Sequence, residues 1–247
     1  MSGSVAYLRF ELVRTIRNRR VLIFSLAFPI VLYLLIAAPN KNEHNLGGTG
    51  ISAPLYFMIG LAAFGTMNAM LSSGARIAAE RSVGWNRQLR ITPLPTRAYF
   101  RAKVATSYML ALVALLALYV AGVAVGVSLA ADRWVAMTLY IVVGLVPFAA
   151  IGILMGHLLT ADSVGPAIGG TTALFAFLGG TWFPITGNGF IASVAKELPS
   201  YWLVQASRAG LGDDHPWGSH GWAVVVVWSM VATLLAARAY QRDTKRV

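Results

Sequence analysis

The chain has 247 residues, of which 57% are hydrophobic and only 12% charged, and it carries a net charge of +11. A soluble domain has roughly 25% charged residues, so that deficit, with a mean hydropathy of +0.66, excludes a soluble core and indicates an all-α polytopic membrane protein. The cations flank apolar runs and form no hydrophilic domain, which argues against nucleic acid as a partner, and a chain with no cysteine has no disulfide and no thiolate metal site.

Residues 1–20 open the chain. Val5, Leu8, Leu12 and Ile16 recur at helical spacing, with Glu11 and Arg14 opposite and Arg9 intruding on the apolar side. This pattern predicts an interfacial helix on the inner leaflet. The alternative is a solvated basic lead-in that only sets topology. Six segments then hold about 20 mostly apolar residues each, the length of a membrane span: 21–38, 53–75, 103–127, 135–157, 163–184 and 221–239. The first is read as a retained helix, because its apolar run exceeds the roughly 7–15 residues of a signal peptide and no A-x-A site follows it.

Between the second and third spans lies "AAERSVGWNRQLRITPLPTRAYFRAK", residues 78–103. Arg81 to Ile91 has room for a short helix with Trp85 and Leu89 as an apolar i, i+4 pair. Pro93 and Pro95 end it by pushing their predecessors out of the helical region. An apolar pair with a cationic rim forms a protein-docking knob; a merely topogenic basic loop is the bland reading of the same charges. The 185–220 stretch is apolar but broken by Pro199 and several glycines, which fits a short amphipathic or re-entrant segment at the outer surface. Trp182, Trp202, Trp217 and Trp222 cluster near it, as at a headgroup belt.

Six crossings put both termini on one side. That side then holds sixteen Lys and Arg, including Arg76, Arg90, Lys103 and Arg242, against four on the other: Lys41, Arg133, Lys196 and Arg208. Cytoplasmic loops are the ones enriched in Lys and Arg, so the termini and region 76–102 are expected in the cytoplasm of a cell whose plasma membrane the chain spans.

Several chemistries are missing. No G-x-x-x-x-G-K-[ST] occurs, so the chain is not itself a P-loop ATPase. The apolar runs have no Asp, Glu or Lys in their middles, which leaves an ion-coupled carrier without its buried ionisable groups. His157 and Asp162 lie close enough in sequence to pair, although a lone edge histidine is more often an interface residue. His215 and His220 are five apart with no further metal ligand in view. Gly122/Gly126, Gly152/Gly156 and Gly165/Gly169 form G-x-x-x-G pairs, which permit close helix packing without naming a substrate site.

The 78–103 stretch resembles the signature of the type-2 ABC transporter permeases (the ABC-2 family), with Glu80, Arg81, Gly84, Leu89, Thr92, Pro93 and Lys103 at the matching positions. "FLGGTWFPI" (177–185) is similar to that family's Gly-aromatic-Pro end of the fifth helix, and "LPSYWLVQASRAGL" (198–211) to its outer segment before the sixth. Ser82 departs from the family's second acid, and only Leu89 of its leucine pair is clearly present.

The resemblance implies a single transmembrane domain over 1–247, acting as the permease of an ATP-driven exporter. A second permease copy would complete a homodimer, and two separate ATP-binding subunits would supply hydrolysis, with no cofactor on this chain. Glu80, Arg81, Gly84, Trp85, Leu89 and Pro93 would form the coupling helix. A pathway between the copies would be lined by Phe57, Phe64, Met67 and Asn68 on the second helix and Thr171, Thr172, Phe175 and Leu178 on the fifth. Asn68 would either glue helices or contact substrate. The apolar, aromatic helices suit a drug, antibiotic or lipid-like molecule. A membrane anchor without its own path is the alternative.

The charge asymmetry is testable in this cysteine-free chain. Cysteines at positions 41 and 196 are expected to react with an impermeant thiol reagent on intact cells, and cysteines at 90 and 242 only after permeabilisation. Labelling at 90 but not at 41 would reverse the topology.

Overall fold

A computed structural model describes residues 3–18, 23–48, 50–92, 94–185, 189–211 and 215–245, and no strand occurs among them. Twelve α-helices follow in order among these residues: α1 (Gly3–Arg17), α2 (Phe28–Ala37), α3 (Ala53–Ser82), α4 (Trp85–Arg90), α5 (Thr96–Val125), α6 (Ala131–Gly144), α7 (Val146–Leu158), α8 (Ala161–Leu178), α9 (Phe190–Lys196), α10 (Pro199–Gln205), α11 (Ser207–Gly210) and α12 (Gly218–Lys245).

Among the described residues, four stretches are long and apolar enough to cross a membrane: Ala53–Ser82, Thr96–Val125, Ala131–Leu158 and Gly218–Asp243. They correspond to the expected second, third, fourth and sixth spans. At the first span, a π-helical turn over Ile23–Ala27 leads into α2, which is only 10 residues long. At the fifth, α8 has 18 residues, about 27 Å of helix, and Gly165, Pro166, Gly169 and Gly170 dilute its apolar content.

Helix ends follow local chemistry. Pro54 sits in the first turn of α3, where its missing N–H costs nothing. The helix stops at Gly84, whose φ of +72° is left-handed and favours glycine. Pro95 caps the start of α5 in an extended conformation. Thr160 and Ser163 form a reciprocal capping box at the start of α8. Residues 76–102 are therefore not a loop between spans. They comprise the last turns of α3, the short α4 and the first turns of α5. With 30 residues, α3 is about 45 Å long. That exceeds the roughly 30 Å of a hydrocarbon core, so its charged last turns extend beyond the apolar slab.

The centre of the bundle is α3. It packs against α2, α5, α7, α8 and α10, and Leu61, Met67, Met70 and Leu71 on it join Leu110 of α5 and Phe148 of α7 in the core. The crossing of α3 with α7 depends on the absence of side chains. A Cβ on Gly74 would collide with the Gly152 carbonyl, and one on Gly156 would lie 2.7 Å from Ile77 Cβ. Of the three G-x-x-x-G pairs, Gly152/Gly156 thus makes a close helix contact. Gly122 instead faces Met58, and a Cβ added to Gly165 or Gly169 would meet nothing within 4 Å.

The opposite end is closed by α10, whose Pro199, Tyr201, Leu203 and Val204 are buried. Trp217 is buried rather than at a headgroup belt. Its ring packs against Tyr140 and Trp222, and its Nε1–H donates to the Trp202 carbonyl at 2.7 Å. Once that N–H is satisfied the large ring can leave the interface.

Overpacking a close helix crossing costs about 1–3 kcal/mol. Gly74→Leu is expected to lower the thermal unfolding midpoint of the detergent-solubilised protein by several degrees, while Gly165→Leu leaves that midpoint unchanged.

Candidate functional site

The end of the bundle that carries Arg76, Arg81 and Lys103 is built on an inverted amphipathic helix. In α1 the buried positions are Tyr7, Glu11 and Thr15, at i, i+4, i+8, whereas Val5, Phe10, Val13 and Ile16 are exposed. The polar face packs on the protein and the apolar face looks outward. That is the arrangement expected where the surroundings are lipid.

The polar face meets a buried ion cluster. Lys103 Nζ lies 2.9 Å from Glu11 Oε2 and 2.5 Å from Glu80 Oε1, and all three side chains are at most 1% exposed. Arg14 adds a bond of 2.6 Å to Glu80 Oε1, and the Tyr99 hydroxyl donates to Oε2 at 3.1 Å. Tyr7 donates to Glu11 Oε1 at 3.3 Å. Burial, together with the Glu11 and Glu80 carboxylates, pushes the Tyr7 phenol above its ordinary range, so it remains a donor. Arg76 completes the cluster, donating to Thr15 Oγ1 at 3.3 Å, Thr106 Oγ1 at 3.4 Å and Ser107 Oγ at 2.9 Å. Two carboxylates thus balance two enclosed cations, with Arg14 at the rim.

Arg81 points to the other side of α3. Its Nε and Nη2 approach Asp243 at 2.6 and 2.7 Å, and Nη1 donates to the Gly156 and Leu159 carbonyls at 3.0 and 3.2 Å. His157 Nδ1 lies 3.1 Å from Asp243 Oδ2. The histidine therefore pairs with Asp243, 86 residues away. It does not pair with Asp162, which is exposed in the first turn of α8.

The expected docking knob faces inward. The Trp85 ring stacks on Phe10 of α1, with centroids 6.4 Å apart, and Leu89 packs on the small core of Tyr7, Ile77, Tyr99 and Ala102. Both side chains are half-buried in their own subunit. The exposed apolar residues here are Val83 and Ile91, at 74% and 88% exposure on either side of α4. Pro93 and the side chains of Arg87 and Arg90 lie outside the described residues.

Along α3 the half-buried positions form one stripe: Phe57, Phe64, Asn68, Ser72 and Ala75. The Phe64 ring lies between Phe28 of α2 and Trp182, at 6.1 and 5.7 Å. Asn68 makes no hydrogen bond with any described residue. Met67 is off the stripe, in the core. On α8, Thr172 is buried with its hydroxyl unpartnered, while Thr171 and Leu178 are half-buried. Phe175 packs edge-on against Phe148 of α7 and also meets Trp228 of α12. Phe57, Phe64 and Asn68 therefore share a half-buried face of α3, Phe175 is half-buried on α8, and Met67 and Thr172 belong to the packed interior.

Residues 40–239 match the family described as "ABC-2 family transporter protein". The chain belongs to the ABC-2 transporter family. It is also similar to a curated protein of Bacillus subtilis (strain 168) named "Putative transport permease YvfS", with 25% identity over 198 residues that cover 77% of this chain and 78% of the relative. In this ABC-2 protein, sequence motifs single out Glu80, Arg81 and Lys103 but not their partners Glu11, Arg76, His157 and Asp243. A usable signal for two of the partners exists. The chain has only nine acidic residues, so Glu11 within an Arg-rich helix and Asp243 within a basic tail are each conspicuous.

Breaking a buried ion pair by removing one partner costs about 3–5 kcal/mol. Lys103→Met removes the buried cation between Glu11 and Glu80 and leaves only Arg14, at the rim, in reach of both. It is expected to lower the unfolding midpoint sharply and to speed tryptic cleavage after Arg9 and Arg17, both already exposed on α1, as that helix detaches and frays. The Glu11→Gln/Lys103→Met double variant recovers part of the loss, because one of the stranded charges is gone.

Proposed function

We propose that this ABC-2 protein is the permease subunit of an ABC exporter, which pairs with a second copy and is driven by two ATP-binding subunits seated at its basic end. The observation that carries the reading is α4. It is a short helix after a left-handed glycine, anchored inward by Trp85 and Leu89, and it leaves Val83 and Ile91 exposed. These exposed apolar side chains on either side of a short helix offer contacts to a protein partner. Family membership implies an ABC ATP-binding subunit as that partner, and the absence of a P-loop here assigns hydrolysis to it.

In this reading the π turn with α2, and α8, complete six crossings. Both termini and α4 are cytoplasmic, as the excess of Lys and Arg supports. The exposed apolar face of α1 lies in the inner leaflet of the plasma membrane.

The half-buried stripe of α3, together with Thr171 and Leu178 of α8, faces the second copy and lines the route. Asn68 supports this assignment. An unpaired carboxamide is costly against lipid, so a polar group of substrate or of the other copy is expected to cover it. The Phe28–Phe64–Trp182 row offers flat apolar surfaces beside it, which suits a drug, antibiotic or lipid-like cargo.

The docking assignment is tested by co-purifying the ATP-binding subunit. Truncating a buried interface anchor costs about 2 kcal/mol or more, roughly a thirtyfold loss of affinity. Val83→Ala/Ile91→Ala is expected to lose the partner with an unchanged unfolding midpoint, whereas Trp85→Ala lowers the midpoint first. Full retention of the partner by the Val83/Ile91 double variant would remove α4 as the docking element and leave a membrane anchor as the better account.

A further inference from the structure

The last turn of α3 holds two adjacent charged residues with separate partners. Glu80 faces α1 and α5, and Arg81 faces α7 and α12. The first set is a buried cluster. The second has a different form. Arg81 donates to Asp243 Oδ1 through Nη2, with Nε in ion-pair contact with Oδ2, and with its remaining Nη1 it takes the carbonyls of Gly156 and Leu159 at the end of α7. Those carbonyls have no partner within the helix, and a cation at a helix C-terminus also meets the negative end of the dipole. His157, on the same last turn, reaches Oδ2 of the same carboxylate, the oxygen that Arg81 Nε also approaches. One turn before Asp243, Tyr240 packs on Phe100 of α5 at 4.9 Å and on His157 at 5.4 Å, and its hydroxyl donates to Thr96 Oγ1 at 3.4 Å.

Three helix ends therefore meet on one guanidinium, two residues upstream of the Val83–Gly84 turn that leads into α4. Along its length α12 packs on α7, with Val224, Val225, Ala232, Ala236 and Ala239 buried and Val226, Val227, Met230, Val231, Leu234 and Leu235 facing outward. The charged contacts are only partly buried, with Arg81 at 26% and Asp243 at 20% exposure. A charge-assisted Arg–carboxylate hydrogen bond in such a place is directional, yet it can still be broken.

We infer that Arg81, Asp243 and His157 form a latch that makes the ends of α7 and α12 follow α4 as one body when the ATP-binding subunits close. This rests on the permease reading. Asp243 and His157 are positioning residues: they touch neither nucleotide nor cargo. A salt bridge that only anchored the C-terminus would lower stability when broken, without altering which segments move together.

The test uses the complete complex in nanodiscs, with Ser82→Cys and Arg238→Cys spin-labelled on one copy and the other copy unlabelled. Trapping with ATP and vanadate is expected to leave the 82–238 distance unchanged in the otherwise native chain. In the same complexes, labels at position 82 on both copies should show a nucleotide-dependent shift. Asp243→Asn is expected to retain the ATP-binding subunit and the shift between copies, and to give a second, nucleotide-dependent population in the 82–238 distance. Asp243→Glu should restore the single distance. A single, nucleotide-independent 82–238 distance in a folded Asp243→Asn complex overturns the latch while leaving the permease reading intact. If Asp243→Asn does not fold, Arg81→Lys decides the matter, since it keeps the charge and cannot hold the carboxylate and both carbonyls at once; an unchanged distance in that variant equally overturns the latch. No bound ATP-binding subunit and no shift between copies in the native chain would overturn the permease reading itself.

Discussion

One ammonium group between two carboxylates organises the basic end of this molecule. Lys103 is fully buried, and an isolated buried charge is costly by several kcal/mol. Its burial is tolerable only because Glu11 and Glu80 converge on it and are in turn supplied by Tyr7, Tyr99 and Arg14. Each member is needed by the others, so α1, α3 and α5 share one geometry. The inward anchoring of α4 follows, because Trp85 needs Phe10 of α1 and Leu89 needs the Tyr7–Tyr99 core.

The neighbouring residue extends this constraint across the bundle. Successive residues on a helix are rotated by about 100°, so Glu80 and Arg81 address different faces of α3. Through them the central helix is tied to α1 and α5 on one side and to α7 and α12 on the other. Within the apolar slab the same helix relies on close approach instead. Gly74 against Gly152 and Gly156 brings two backbones into contact, where charge would be too costly.

Much of this is legible in the sequence. Composition establishes the class, apolar runs place the helical bundle, and the proline and glycine breaks locate α4. The boundaries around residues 76–103 are not legible, because Arg76 and Lys103 look like solvated charges and so like the ends of spans. Charge marks water only when it is unpaired, and pairing is a property of the tertiary structure. Trp85 and Leu89 mislead for a related reason. An i, i+4 apolar pair defines a face of a helix but not what covers it, and here the cover comes from Phe10 and Tyr7, more than seventy residues earlier. Proximity in the chain sets His157 beside Asp162, whereas α12 returns Asp243 to it. The apolar stripe of α1 is a true face of that helix, and its charged side is the one the protein covers.

That inverted helix imposes an order on biosynthesis. Glu11 emerges from the ribosome 92 residues ahead of Lys103, an interval of roughly 5–20 seconds at ordinary elongation rates. During that time α1 has a lipid-compatible face but no partner for its carboxylate, since Glu80 and Arg76 are also still to come. The nascent helix can rest on the bilayer surface, yet it cannot dock until α3 has crossed and α5 has begun. The ion cluster can therefore close only once α1, α3 and α5 have all been made.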